Sequence, residues 1–310
     1  MEREERERSS ELEATPLDPA ATADLEAAEP ARFTSHGPLP AVQDEVPGAA
    51  PPTASERAYG SATRAAPPPA ARGVDPTILT TTVRRVIDGV TVVAPPGSHA
   101  DAIDKCAVFI HQELGRNQFA QLKMAEARAT IVIIPARTKM TDLPQFASLK
   151  GRTTFDGRDW SGVRGSGGMN APDGSFAIGV AEENLRAVAG VISTYPTGYS
   201  IGMHELAHAL ESKALTAAQK ERLNGLYSQH QKADPGDARD TFTDKYAASN
   251  VHEYFAQSTN AFFGKNEGKN KDRTPYHNGR AWLQAHDPNM YAFLVELYET
   301  NHDAEGKRVP

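Results

Sequence analysis

The sequence predicts a helix-rich α+β fold in which a small mixed sheet precedes a run of helices, with a disordered N-terminal extension ahead of both. Three observations predict it. Residues 1–75 hold half of the 22 prolines but only two aromatics, Phe33 and Tyr59, and such a segment cannot bury enough apolar surface to offset the entropy of ordering it. From 80 to 180 the apolar residues come in short, β-branched runs. From 199 onwards they recur at helical spacing. Residues 76–310 are therefore expected to form the folded domain.

The elements follow in order. Residues 80–93 are β-branched and partly alternating, with Asp88-Gly89 at the centre as a hairpin signal. Residues 101–114 place Ile103, Cys106, Ala107, Ile110 and Leu114 on one helical face. The run TIVIIP at 130–135 predicts a buried strand, and SFAIGV at 175–180 predicts a second. Between them, 150–168 is rich in Gly, Arg and Asp around Trp160 and reads as an ordered loop. A helix is expected over 199–210. Another covers 216–231, opened by a Thr216/Gln219 capping box. A third covers 250–263 and is closed by Gly264. Residues 264–279 read as a polar loop. Asp287-Pro288 then starts a last helix to 299, in which Tyr291, Leu294, Leu297 and Tyr298, together with Trp282, read as core packing.

Composition narrows the function classes. A net charge of −7 argues against an extended nucleic-acid footprint. The single cysteine, Cys106, excludes an intramolecular disulfide and a thiolate zinc cluster. The charged start, Met1 to Arg8, lacks the apolar run of a Sec-type signal peptide. No apolar stretch approaches the roughly 20 residues that span a bilayer.

The chemistry is carried by His204-Glu205-Leu206-Ala207-His208. Histidines at i and i+4 project from one helix face and can reach one ion. Glu205 points about 100° away from His204, beside a metal-bound water and not on the metal, where a general base belongs. A catalytic zinc site needs a third ligand. A histidine six residues on, as in metzincins, is excluded by Ala214, and Glu211 stands where that family needs glycine. Asp240 and Asp244 are loop candidates without a supporting motif. Glu253, on the helix over 250–263, is the better one, with Tyr246 seven residues earlier able to donate to a developing oxyanion. Gln257, one turn on, could accept the remaining N–H of a ligating histidine and set its tautomer. His252 points away from Glu253 on the same helix. The strand Ser175, Phe176, Ala177, Ile178, Gly179 and Val180 is expected to offer an edge to an extended substrate.

Tyr246 and the segment Glu253-Tyr254-Phe255-Ala256, following the HExxH pattern, resemble the catalytic domain of anthrax lethal factor and its relatives among the gluzincins, including the clostridial Pro-Pro endopeptidases. The resemblance implies a zincin fold holding one Zn²⁺ per chain. It implies His204, His208 and Glu253 as ligands, Glu205 as base and Tyr246 as transition-state partner. Gln257 departs from the pattern, since related sequences often carry an acid there. The implied activity is peptide-bond hydrolysis on a protein or peptide substrate by a monomer. With the extension, the resemblance suggests a bacterial effector or toxin made in the cytoplasm and delivered by a specialised secretion or contractile injection apparatus. The alternatives are an intracellular housekeeping gluzincin and a non-catalytic binding module of the same fold.

Overall fold

Asp88 and Gly89 set the first pairing of the sheet. Both adopt positive φ, 44° and 82°, as a type I′ turn demands. Strands β1 (Val83–Ile87) and β2 (Val90–Ala94) run antiparallel from it, with Ile87 opposite Val90. Glycine is needed at 89 for a second reason: a Cβ there would stand 2.1 Å from the Gln121 carbonyl oxygen. The computed structural model describes residues 77–154, 157–233, 241–270 and 273–310, so the extension assigned to 1–75 lies outside the described residues.

Helix α1 (Ala102–Leu114) buries the expected face, including Ile103, Cys106, Ile110 and Leu114. Burial drives the Cys106 thiol pKa far up, so this cysteine behaves as a small apolar side chain. Helix α2 (Gln118–Glu126) buries only Ala120 and Met124, and with no apolar stripe it leaves no periodic signal. Strand β3 (Ala129–Ile134) is buried throughout and runs parallel to β2 on one side and to β5 (Phe176–Ala181) on the other. Its Val132 and Ile134 join Met140, Phe146, Leu149 and Ala177 in an apolar cluster. By strand alternation, the equally buried Ile131 and Ile133 fill the opposite face. Each such side chain contributes roughly 1.5–3 kcal/mol.

The sheet order is β1-β2-β3-β5-β4, and β4 (Gly165–Asn170) pairs antiparallel with β5. Two expectations are corrected by it. The stretch 150–168 is not all loop, because its last residues enter β4. Gly-Ser-Gly-Gly lacks the β-branched and aromatic side chains that mark strands. The stretch Ser175, Phe176, Ala177, Ile178, Gly179 and Val180 is not a substrate-facing edge either. Strand β5 is hydrogen-bonded on both sides, to β3 and to β4, so its backbone groups are already satisfied. The terminal strand on that side is β4.

After the short α3 (Glu182–Leu185) come α4 (Ile201–Lys213), α5 (Ala217–Ala233), α6 (Val251–Phe262), α7 (Arg280–His286) and α8 (Pro288–Tyr298). Their ends follow local chemistry. Thr216 and Gln219 form the reciprocal box at the start of α5, Gly264 ends α6 at φ 68°, and the Asp287 carboxylate accepts from Met290 N at the start of α8. Helix α4 packs on α6, β4 and β5. The fold is thus mixed helix and sheet, with a small mixed sheet ahead of the main helices. No helix among the described residues is long and apolar enough to cross a membrane.

Candidate metal centre

Ser200 starts the helix that carries the motif, its hydroxyl accepting from Met203 N. From that start His204 and His208 fall one turn apart on one face, with rings 4.7 Å apart and nearly perpendicular. Asn250 starts α6 and accepts from the backbone N–H groups of His252 and Glu253. The cap is therefore supplied by Asn250, and the Glu253 carboxylate reaches across to α4. Its Oε2 lies 3.3 Å from His204 Nε2 and 3.5 Å from His208 Nε2, and the two Nε2 atoms are 3.1 Å apart. All three side chains are buried. The His204–His208–Glu253 group can hold a metal ion.

Glu205 and Tyr246 border the same group. Glu205 is fully buried, and burial raises its pKa well above the usual value. The Glu253 charge adds to the rise and the Arg158 charge opposes it. Burial lowers the His204 pKa, although the facing Glu253 carboxylate acts the other way, and so favours the neutral imidazole that metals require. The Tyr246 hydroxyl donates to Glu253 Oε1 at 3.1 Å. Burial, reinforced by the charge of Glu253, holds its pKa far above the ordinary value, so the phenol keeps its proton and remains a donor.

Strand β4 explains how α4 comes so close to the sheet. A Cβ on Gly165 would stand 2.6 Å from Glu205 Oε1, and one on Gly167 would stand 2.7 Å from His208 Cβ. A side chain at 165 would push aside the tips of Glu205 and Ile201, and one at 167 would displace His208 from its Cβ outwards. The composition that hid β4 as a strand is the one that seats the motif helix against it.

The remaining candidates separate cleanly. His252 pairs with Glu211 at 2.7 Å, and that hydrogen bond is the main cause of its raised pKa. Asp244 does not join the His204–His208–Glu253 group: it lies behind it and accepts from Gln257 Nε2 at 2.9 Å. Asp240 lies outside the described residues. The Gln257 carbonyl accepts from the Tyr199 hydroxyl at 2.8 Å, and Tyr199 Oη stands 3.1 Å from His204 Nδ1. The expected link from amide to imidazole thus runs through a phenol. Tyr199 and the supporting role of Asp244 had no signal in the sequence beyond their nearness to the motif. No protein-family model and no curated protein matches the chain.

Proposed function

We propose that this chain is a zinc-dependent endopeptidase of the lethal factor-like, gluzincin type, with His204, His208 and Glu253 as ligands. The observation that carries this reading is the spacing of the three donor atoms, 3.1, 3.3 and 3.5 Å. Zinc bonds of ~2.0–2.1 Å in a tetrahedron require ligand atoms about 3.3 Å apart. Two neutral imidazoles and one carboxylate also match the donor set of a catalytic site, which keeps a fourth position for water. When bound there, zinc supplies an acidic water, with pKa lowered towards ~7, and polarises the substrate carbonyl.

The residues of the chain do the rest. Glu205, next to His204 on α4, takes the proton from the attacking water and returns it to the leaving amine. Tyr246 donates its hydroxyl proton to the carbonyl oxygen as that oxygen gains charge, exchanging its bond to Glu253 for one to substrate. The test is zinc content and peptide cleavage of the wild type against Glu205→Gln. One zinc per chain in both, with cleavage only in the wild type, is expected. Normal cleavage by zinc-loaded Glu205→Gln would rule the mechanism out.

The resemblance and the extension support delivery of this peptidase as a bacterial effector or toxin through a secretion or injection apparatus. Deleting residues 1–74 should then abolish export and spare peptidase activity, and unchanged export of the truncated chain would reject the delivery role.

A further inference from the structure

On the Nδ1 side of His204 lies a chain of buried polar groups with one consistent direction. Asp244 is 1% exposed and accepts from five donors. Oδ1 takes the backbone N–H groups of Tyr246 and Ala247, both at 2.9 Å. Oδ2 takes Thr243 Oγ1 at 3.1 Å, Gln257 Nε2 at 2.9 Å and Asn266 Nδ2 at 3.1 Å. A carboxylate ringed by donors serves only as an acceptor, so the Gln257 amide must turn its NH₂ towards Asp244. Its carbonyl is thereby aimed at Tyr199, whose hydroxyl donates to it at 2.8 Å. A hydroxyl has one proton. Having given it to Gln257, the Tyr199 oxygen accepts from His204 Nδ1, 3.1 Å away. A neutral imidazole protonated at Nδ1 presents a lone pair at Nε2, the atom that faces Glu253 and His208.

We propose that Asp244, Gln257 and Tyr199 form a one-way hydrogen-bond relay that sets the tautomer of His204 and holds its ring in the metal-binding orientation. Tyr199 is the positioning residue that touches the imidazole. The proposal rests on the reading of His204, His208 and Glu253 as zinc ligands. The same Asp244 carboxylate holds the backbone of Tyr246, so one buried anion orders both a ligand ring and the phenol. The Tyr199 ring is stacked on Tyr195, with centroids 5.2 Å apart and planes 11° from parallel. Tyr199→Phe therefore removes the hydroxyl and keeps the packing.

The experiment uses the full chain with ¹⁵N-labelled histidine, freed of metal, with the His204 signals assigned through His204→Gln. Imidazole ¹⁵N–¹H spectra should show His204 protonated at Nδ1 in the wild type, and mixed or Nε2-protonated in Tyr199→Phe. Zinc affinity, read by competition with a coloured chelator, should fall by roughly 10–100-fold in Tyr199→Phe and in Gln257→Leu. The double variant should be no weaker than the weaker single variant, because both break one chain. Nε2-protonated His204 in the wild type, wild-type affinity in both single variants, or additive losses would each overturn the relay. A wild-type chain that takes up no zinc would instead overturn the peptidase reading, and the tautomer spectrum would still decide the relay.

Discussion

Glu205 and Glu113 are both glutamates sealed inside the molecule, and burial drives the pKa of each well above its ordinary value. Their surroundings differ. Glu205 sits in α4 among charged groups, Glu253 and Arg158, beside a centre where polar atoms are tied together and Asp244 alone takes five donors. Glu113, in α1, has no hydrogen-bond partner for either oxygen among the described residues, and burial is the sole cause of its shift. It acts electrostatically on Tyr298, which is hydrogen-bonded to Thr259 of α6. The neighbours of Thr259 in sequence, Ser258 and Asn260, also have side-chain atoms without partners among the described residues. Burying a polar group costs free energy unless hydrogen bonds offset it. Around α6, then, the five donors to Asp244 offset that cost in one region, whereas the region of Glu113 retains it.

Four measurements can break or sharpen this contrast. The largest effect is expected for Glu205→Gln: turnover should fall by about 10²–10⁴-fold with zinc content unchanged, read by peptide hydrolysis and metal analysis. Unaltered turnover would put Glu205 in the same class as Glu113, buried but idle. Next is Asp244→Ala, which strands several buried donors and should cost roughly 3–5 kcal/mol in urea unfolding. A loss below about 1 kcal/mol would mean that the tied region is no better compensated than the other.

Gly167→Ala should cost about 1–3 kcal/mol by overpacking and weaken zinc binding, since the added methyl must displace His208. A variant with wild-type melting and zinc affinity would remove β4 from the account of the centre. Last comes Glu113→Gln, whose effect vanishes near pH 4.5 and grows with pH. A raised folded pKa means that the native protein keeps a proton which the unfolded chain releases above the ordinary value of 4.5. Wild-type stability therefore falls as pH rises from 4.5 towards the folded pKa, by about 1.4 kcal/mol per pH unit, and the glutamine variant lacks this slope. Urea unfolding from pH 5 to 8 should show the variant gaining on the wild type as pH rises, and parallel profiles would reveal a partner for Glu113.

The parts of the centre legible in the sequence are those written in short range. The i, i+4 histidines follow from helix geometry, and Tyr246 and Glu253 lie only seven residues apart in the chain. Strand β4 was hidden because its glycines serve a neighbour. They make room for Glu205 and His208, and a residue chosen for clearance carries no strand pattern. The same reason explains the misplaced edge: with β4 unseen, β5 looked terminal. Helix α2 escaped because it buries too little to show a stripe.

By itself, then, the sequence determined the turn at Asp88-Gly89, the helices α1, α4, α5, α6 and α8, and the placing of His204 and His208 on one helix face. These are set by backbone geometry over a few residues. Only the tertiary structure decided which strand ends the sheet, and that Asp244 stands behind the His204–His208–Glu253 group instead of joining it. It also brought Tyr199 between His204 and Gln257, although Tyr199 and Gln257 lie 58 residues apart. Such pairings depend on how α4, α6 and β4 pack, and helical or strand periodicity carries no record of which polar groups will meet when separate elements are brought together.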